Sequence, residues 1–311
     1  MNIAIVTGAS SGMGREFVRQ LGGYVSVDEI WAVARRASAL ETLKAETSVP
    51  VRPIVLDLLE ESSFTRLEAL LESEKPNVRL LVNAAGFGKF GAYQKVPVED
   101  DCRMIDLNCR AAVDVTDAAF PYLHPGSQVL EICSTAGFQP IPGLNVYAAT
   151  KACQGMLGEI YAKAYGMDLL CVRAFNHVGP GQAPMFVVSD FCRQTAAIEL
   201  GQQEPVIRIG NLSAKRDFTD VRDVVRAYVL LAEKGIAGRV YNVGSGKAVE
   251  IRGILDLILA QSGVKIQAET DPAKLRPVDV PVVEADIRRD LPRGFGVVVA
   301  VDKNRKKRRS V

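Results

Sequence analysis

The sequence has little of what metal sites and disulfide frameworks require. It contains only two histidines in 311 residues, and its six cysteines show no CxxC pair and no metal-ligand spacing. A structural zinc site is therefore not expected, and no metal ligand is assigned. The cysteines are predicted to be reduced and mostly buried thiols, which is typical of a cytoplasmic protein.

Long apolar runs are also missing. No stretch of about 18 uninterrupted apolar residues occurs, so the sequence predicts neither a membrane-spanning helix nor a membrane partner. The first residues, MNIAIVTGAS, lack a basic segment and a cleavage site, and they predict a β-strand rather than a signal peptide. With 48% hydrophobic and 24% charged residues, the composition is typical of a soluble globular protein of one or two domains.

Basic charge is concentrated at one end of the chain. The net charge is +2, but KNRKKRR at 303–309 carries six basic residues, which leaves −4 for the remainder. Basic patches with interleaved aromatic residues are absent. The segment 296–311 is therefore predicted to be a flexible, solvated tail, and no nucleic-acid partner is expected; binding to a nucleic acid or an anionic membrane is the alternative.

Apolar runs alternate with helical patterns through the first half of the sequence. Strands are predicted at NIAIVTG, EIWAVARR, VRPIVLDL, VRLLVNAAG, SQVLEICSTAG and DLLCVRAFNHVG. This alternation predicts an α/β fold with a doubly wound parallel sheet and right-handed crossovers. After residue 180 the elements become shorter and less regular. We therefore expect a core at 1–180 and a smaller cap at 181–295, interleaved with the last strands of the sheet.

The first predicted strand ends in TGASSGMG, with glycines at 8, 12 and 14, directly before a helical pattern. Glycines allow the backbone to approach a pyrophosphate, and the N–H groups and dipole at the start of a helix favour the anion. The stretch therefore predicts a dinucleotide-binding site.

The end of the second strand bears on which dinucleotide binds. NAD-selective sites place an acidic residue there, whereas this chain has Arg35 and Arg36. A guanidinium matches a 2′-phosphate bidentately, so NADP(H) is predicted over NAD(H). The alternative is that both arginines are solvated strand-end residues. The residues predicted to bind the cofactor are Gly8, Ser10, Ser11, Gly12, Met13, Gly14, Arg35, Arg36, Asp57, Leu58, Asn83, Ala84, Ala85, Gly86, Tyr147 and Lys151.

A tyrosine and a lysine lie four residues apart in NVYAATKACQ, at Tyr147 and Lys151. Residues with this spacing share one face of a helix. Hydride addition to a carbonyl builds an alkoxide that needs a proton, and a phenol beside a positive charge can supply it. The pair predicts a reaction centre for hydride transfer, and an ordinary surface contact is the alternative.

Together, TGASSGMG, NAAG, Asn108, Ser134 and YAATK resemble the short-chain dehydrogenase/reductase superfamily in its compact branch, over residues 1 to about 160. The resemblance implies a Rossmann-type fold and four catalytic residues. Tyr147 is then the proton donor, and Lys151 is its electrostatic partner and a ligand of the nicotinamide ribose. Ser134 binds the substrate oxygen, and Asn108 anchors a water. The superfamily also implies a homodimer or tetramer.

The second half resembles a different branch of the same superfamily. RAFNHVGPGQ, RDFTDVRD, VYNVGSG and LRPVDVP, within residues 165–290, resemble the extended branch, in particular the GDP-4-keto-6-deoxymannose reductases and GDP-mannose dehydratases. This likeness implies a nucleotide-diphosphate sugar as substrate, bound by Ser134, Asn176, Arg216 and Arg276. The alternative for Arg216 is an ion pair with an aspartate of its own motif.

The two resemblances lead to a hypothesis about origin and to three about function. The chain is predicted to be a chimera of two superfamily members, by natural recombination or engineered fusion, joined in or just after the Tyr–Lys helix; a divergent natural enzyme is the alternative. The leading function is an NADPH-dependent reductase of a nucleotide-diphosphate sugar. A reductase of a smaller ketone or alcohol and an NADP-binding protein with little turnover are the alternatives.

Overall fold

The computed structural model describes residues 1–91, 95–139, 141, 143–275 and 279–286 and the strand at 295–298. The strands are β1 Asn2–Thr7, β2 Glu29–Ala34, β3 Val51–Val55, β4 Asn77–Asn83, β5 Leu123–Ile132, β6 Leu169–Ala174, β7 Asn176–Val178, β8 Val206–Ile209, β9 Lys215–Asp220, β10 Val240–Val243, β11 Ala248–Glu250, β12 Gln267–Thr270, β13 Val282–Val283 and β14 Phe295–Val298. The α-helices are α1 Gly12–Leu21, α2 Ala37–Leu43, α3 Glu61–Glu74, α4 Val98–Ile105, α5 Ala111–Ala119, α6 Asn145–Tyr165, α7 Val187–Glu199, α8 Val221–Lys234 and α9 Ile251–Leu259.

The main sheet is parallel and doubly wound. In the described residues it has eight strands in the order β3-β2-β1-β4-β5-β6-β10-β14. Strand order reverses between β1 and β4, and such a switch point creates a crevice at the carboxyl ends of the two strands. The predicted α/β class and parallel sheet are confirmed, and the crevice is where the sequence predicts the dinucleotide.

The strands are buried on both faces because their side chains alternate between two apolar layers. Ala4 and Val6 of β1 belong to a cluster with the apolar faces of α1 and α8. Ile3 and Ile5 of the same strand belong to the opposite cluster, with α3 and α5. The sheet therefore holds the ends of its strands rigidly, and the loops that follow them are presented from a fixed frame.

A separate small core lies outside these two layers. It is formed by α7, β8 and α9 and contains Phe191, Ile207 and Leu255. Helix α8 and strand β10, which come between its pieces in the chain, instead belong to the main sheet layers, where Tyr228 stacks on Phe17 with ring centroids 5.9 Å apart. The second half of the chain thus alternates between the small core and the main sheet.

Some expectations about the fold are corrected. Three of the six cysteines, Cys102, Cys153 and Cys192, are exposed, so the thiols are not mostly buried. Strand β14 pairs with β10 in parallel, so the predicted tail boundary at 296 falls inside a strand; residues 299–311 lie outside the described part. Among the described residues, none of the helices has the length and hydropathy needed to cross a lipid bilayer.

Candidate active site

The three glycines of the turn after β1 differ in what a Cβ atom would meet at each position. Gly8 has φ +67°, and a Cβ on it would lie 2.9 Å from the carbonyl oxygen of Ala84. A Cβ on Gly14 would lie 2.5 Å from the carbonyl oxygen of Gly8, so helix α1 can approach the turn only without one. Gly12 has φ +55°, but its missing Cβ faces open space. Two glycines therefore allow close packing of the turn, and the third leaves room in front of it.

The start of α1 suits an anion. Ser11, the residue before the helix, makes no side-chain capping bond, and the first turn holds no acidic side chain. The first N–H groups of the helix consequently have no capping oxygen, and together with the helix dipole they favour negative charge. The open space at Gly12 and this uncapped helix start fit the pyrophosphate of a dinucleotide.

Four of the predicted cofactor residues form two contacting pairs near the ends of β2 and β3, Arg36 with Ser10 and Arg35 with Asp57. Arg36 donates from Nη2 to the backbone oxygen of Ser10 at 3.2 Å and to its Oγ at 3.2 Å. Arg35 lies 3.6 Å from a carboxylate oxygen of Asp57 and is 60% exposed at its side chain. The Arg36 guanidinium thus stands beside the glycine turn and the Arg35 guanidinium beside the end of β3, and such groups suit a 2′-phosphate.

The stretch Asn83–Gly86 contacts the crevice through its backbone. The N–H groups of Ala84 and Ala85 both donate to Oγ1 of Thr7 at 3.1 Å. Thr7 was not predicted as a site residue, although a hydroxyl ending an otherwise apolar strand was a visible signal. It fixes the ends of β1 and β4 together at the switch point.

Two predicted cofactor residues direct their side chains elsewhere. The amide of Asn83 is buried and donates to Oγ1 of Thr116 at 2.8 Å, on the side of the sheet covered by α5. Leu58 is buried in the core layer with α3. A contact of either residue with the cofactor can therefore involve only its backbone.

Tyr147 and Lys151 lie on α6 and both face the loop after β4. The Lys151 Nζ is 5.9 Å from the centre of the Tyr147 ring. A Cβ on Gly88 would lie 2.9 Å from Cδ2 of Tyr147, and a Cβ on Gly86 would lie 3.6 Å from Nζ of Lys151. The pair is therefore not a surface contact, since Lys151 is buried and both side chains border the predicted cofactor loop.

Asn108 connects this loop to the tyrosine helix. It lies in a π-helical turn, Asp106–Arg110, between α4 and α5, and such turns are frequent at functional sites. Its Oδ1 accepts from the N–H of Phe87 at 3.0 Å, and its Nδ2 donates to the carbonyl of Phe87 at 2.9 Å and to Oγ1 of Thr150 at 3.0 Å. The side chain is fully buried and fixes the loop relative to α6.

Ser134 lies at the carboxyl end of β5. Its Oγ accepts from the N–H of Ala136 at 3.2 Å and caps a single 3₁₀ turn, Thr135–Gly137. Gly137 packs so closely on α6 that a Cβ there would lie 2.8 Å from the backbone of Lys151. The structure thus brings the loop of Ser134 against the helix of Tyr147 and Lys151.

The sequence reasoning missed a buried carboxylate beneath this helix. Glu131 of β5 accepts from Nδ2 of Asn83 at 2.5 Å and from Nε2 of Gln154 at 3.2 Å. The Oε1 of Gln154 accepts from Nζ of Lys151 at 2.6 Å. Burial raises the pKa of Glu131 to about 7, against the opposing effects of these hydrogen bonds and of the Lys151 charge. A lone glutamate in the apolar run QVLEICS was the available signal.

The predicted substrate residues are in different situations. Asn176 is exposed on β7, just after β6. Arg216 is buried on β9, where it donates to Oδ1 of Asp279 at 2.6 Å and to the carbonyl of Val280 at 2.7 Å. The alternative predicts an ion pair between Arg216 and an aspartate of RDFTDVRD, whereas Asp279 lies outside that motif. Arg276 lies outside the described residues.

Asp217, beside Arg216 in the motif RDFTDVRD, has an internal structural role. Its buried carboxylate accepts from the N–H groups of Ser245 at 2.8 Å, Gly246 at 2.9 Å and Ala285 at 3.1 Å. These bonds fix the loop after β10 and the segment near 285 against β9. Part of this specific-looking motif therefore holds the chain together.

Comparison with known proteins agrees with this geometry. The model of the NAD dependent epimerase/dehydratase family matches residues 4–244, more than half of the chain. GDP-6-deoxy-D-mannose reductase of Pseudomonas aeruginosa is 31% identical over 274 residues, which are 84% of each chain. The chain belongs to the NAD dependent epimerase/dehydratase family. Its membership and its reductase relatives make it an NAD(P)-dependent oxidoreductase.

Other relatives match a shorter part of this family member. The NADP-dependent 3-hydroxy acid dehydrogenase YdfG of Escherichia coli K12 is 36% identical over 158 residues, which are 48% of this chain and 61% of that one. The family model extends on both sides of α6. A junction between two branches at that helix therefore stays a prediction.

Solved structures show the same fold. The structure of RMD from Pseudomonas aeruginosa complexed with NADPH superposes with a TM-score of 0.68 and 24% identity, and the match covers 92% of this chain and 89% of that one. UDP-glucose 4-epimerase of Thermotoga maritima, solved with UDP-glucose, gives a TM-score of 0.71 and 22% identity over 92% and 90% of the two chains. At these identities the likeness establishes the Rossmann-type fold alone.

Proposed function

We propose that this oxidoreductase reduces the keto group of a nucleotide-diphosphate sugar, GDP-linked and of the 4-keto-6-deoxymannose type, with NADPH. One observation carries the proposal: a relative named GDP-6-deoxy-D-mannose reductase is 31% identical over 84% of both chains. This match includes the second half, which holds the small core of α7, β8 and α9.

The proposed chemistry assigns one task to each of four side chains. NADPH, when bound, supplies the hydride. Tyr147 gives its phenolic proton to the substrate oxygen, and the positive charge of Lys151 favours the phenolate that remains. The hydroxyl of Ser134 donates to the same oxygen and fixes its position. Asn108 keeps the loop after β4 in place through its two bonds to Phe87 and anchors a water beside α6.

The preference for NADPH depends on the basic corner beside the glycine turn. Arg36 already contacts Ser10, and Arg35 is exposed next to Asp57. A 2′-phosphate between the two guanidinium groups accepts charge-assisted hydrogen bonds from both, whereas the uncharged ribose hydroxyl of NADH does not.

Asn176 and Arg276 are the proposed ligands of the sugar and of the diphosphate. Asn176 is exposed directly after a main-sheet strand, as a substrate ligand should be. Arg216 contributes less directly in this proposal, because its described bonds to Asp279 and Val280 orient it inward. Its role is then to hold the segment that precedes β13. The structure is of a single chain, so the homodimer or tetramer also stays a prediction.

A smaller ketone is the second candidate substrate. It is favoured by the match to NADP-dependent 3-hydroxy acid dehydrogenases, which are more similar in identity than the sugar reductase although over only 48% of the chain. In this alternative the cap acts only as a lid.

One set of assays separates the candidates. NADPH oxidation is measured with a GDP-4-keto-6-deoxy sugar, with its UDP analogue and with 3-keto acids, and melting temperature is measured with NADPH, NADH, GDP and UDP. Turnover of the GDP sugar with stabilisation by GDP supports the proposal. Turnover of 3-keto acids without any nucleotide effect supports the smaller substrate, and NADPH stabilisation without turnover indicates a binding protein.

A further inference from the structure

A buried hydrogen-bond chain connects Lys151 to a carboxylate on strand β5, beneath its helix. We call Lys151, Gln154, Glu131 and Asn83 the Glu131 network. Lys151 donates to Gln154, Gln154 donates to Glu131, and Asn83 donates to the other oxygen of Glu131. All four side chains are at most 7% exposed, so water does not compete for these bonds.

The amide of Gln154 lies between an acceptor and a donor. An ionised carboxylate only accepts, so Glu131 requires that Gln154 present its NH₂ group towards β5. The carbonyl oxygen of the same amide is then turned towards the ammonium of Lys151, which only donates. Without the carboxylate, the NH₂ group of Gln154 loses its charged acceptor, and only the bond to Lys151 holds the amide in this orientation.

The Lys151 ammonium has one N–H group beyond the two that make its internal hydrogen bonds. Its ammonium carries three N–H groups. One is accepted by Gln154 at 2.6 Å and one by the carbonyl of Ile132 at 2.8 Å. In the described part of the chain, these two fix Nζ beside Gly86, on the loop predicted to contact the cofactor. The hydrogen bonds to Gln154 and Ile132 therefore fix the direction in which the third N–H group points.

We propose that Glu131, acting through Gln154, is a positioning residue that holds the ammonium of Lys151 in its working orientation at the cofactor and beside Tyr147. Glu131 itself touches neither substrate nor cofactor. The inference rests on the proposed function of Lys151, and it adds the two residues on which that function depends.

The other titratable groups facing Glu131 stay neutral near neutral pH. Burial raises the pKa of the Cys109 thiol to about 12. A hydrogen bond with a neighbouring thiol raises the pKa of Cys171, and burial raises the pKa of Tyr161. The carboxylate and the Lys151 ammonium are thus the two charges that govern the network.

A reciprocal exchange of side chains tests the proposal. Glu131→Gln keeps size and shape but removes the charge and replaces one of the two accepting oxygens with an NH₂ group, and Gln154→Glu places a second carboxylate beside the first. In the double variant Glu131→Gln/Gln154→Glu, the amide introduced at 131 donates to the carboxylate introduced at 154, which accepts from Lys151. The bonds donated by Lys151 and by Asn83 are kept, the bond between positions 131 and 154 is reversed, and every group has a partner although the charge has moved. Glu159→Gln, on the exposed face of the same helix, is the matched control for loss of a carboxylate.

Three readouts are measured on the full chain: the dissociation constant of NADPH by fluorescence, kcat against KM for the keto sugar, and the titration of the Lys151 ammonium by NMR of labelled lysine. We expect Glu131→Gln to weaken NADPH binding and lower kcat about tenfold each, with KM for the sugar unchanged. The NMR titration of labelled lysine should also differ from that of the wild type. The double variant should recover most of each loss, and Glu159→Gln should change none.

The outcomes separate this inference from the proposed function. If no keto sugar is reduced, the proposed substrate is wrong, whereas NADPH affinity and the lysine titration still decide the inference. If Glu131→Gln leaves both of these unchanged, or if the double variant is no better than the worse single variant, Glu131 is not a positioning residue. If Glu131→Gln fails to fold, the double variant decides alone: wild-type NADPH affinity and ammonium midpoint support the proposal, and a loss of either rejects it.

Discussion

The two halves of the chain use their polar residues differently. In the first, cofactor half, TGASSGMG and NAAG are each a run of consecutive residues. They present backbone groups at the ends of β1 and β4. In the substrate half, charged groups bind one another: Arg216 binds Asp279, and Lys274 lies 2.6 Å from Asp190. The motifs of the first half are thus predicted to contact a ligand, whereas RDFTDVRD in the second half makes internal bonds.

The comparison is tested most strongly at the proton donor. Tyr147→Phe removes the phenolic oxygen but keeps the ring against Gly88, so kcat should fall by about 10²- to 10⁴-fold, the range of general acid catalysis. NADPH affinity, measured by fluorescence, should stay within about twofold. Turnover at the wild-type rate would show that another group supplies the proton.

In the substrate half, Asp279→Asn should act on stability first. The substitution removes the charge of Asp279 from its ion pair with the buried guanidinium of Arg216, and removing one member of such a pair costs about 3 kcal/mol of the free energy of unfolding. Urea unfolding measures this loss. If stability is unchanged while KM for the GDP sugar rises at least tenfold, Arg216 binds substrate and the contrast between the halves fails.

Glu131 predicts a pH dependence of stability in the cofactor half. Its pKa rises from an ordinary 4.5 to about 7 on folding, so the folded state binds its proton more tightly than the unfolded state. The contribution is fully present below pH 4.5 and is lost as pH rises through 7, by about 3 kcal/mol in total.

Urea unfolding of wild type and Glu131→Gln at both ends of this range measures the effect. The stability of wild type relative to the variant should decrease from low to high pH. A difference between the two proteins that does not change with pH would mean that Glu131 keeps an ordinary pKa.

The smallest predicted effect concerns the basic corner. Arg36→Ala removes the guanidinium beside Ser10 and should weaken NADPH binding about tenfold, with NADH binding unchanged. Fluorescence titration with both nucleotides measures it. Arg66→Ala, at an exposed position of α3, is the matched control for loss of a guanidinium and should change neither affinity. Equal weakening for both nucleotides in Arg36→Ala would show that Arg36 supports the turn and does not select the phosphate.

The sequence predicted those parts of the site that are local. The glycine turn, the arginine pair and the Tyr–Lys spacing are each contained within a few consecutive residues, and the parallel sheet follows from strand and helix alternation. Long-range pairings were not predictable in this way. Glu131 and Gln154 meet because β5 and α6 pack together, and Arg216 and Asp279 meet because β9 and β13 pair. No periodicity encodes such partners, although a single carboxylate in an apolar strand indicates that one must exist.

Strand β10 pairs with β6 in the sheet, yet residues 175–239, which include α7 and β8 of the small core, lie between them in the chain. The last strands of the sheet can therefore dock only after this long segment has been looped out, and the entropy of that closure has to be overcome before the pairing gains any contact. Folding should then be slow at this step, and the first half should not be separable as an autonomous unit. A truncation after β6 would leave an open, apolar strand edge that favours association between copies.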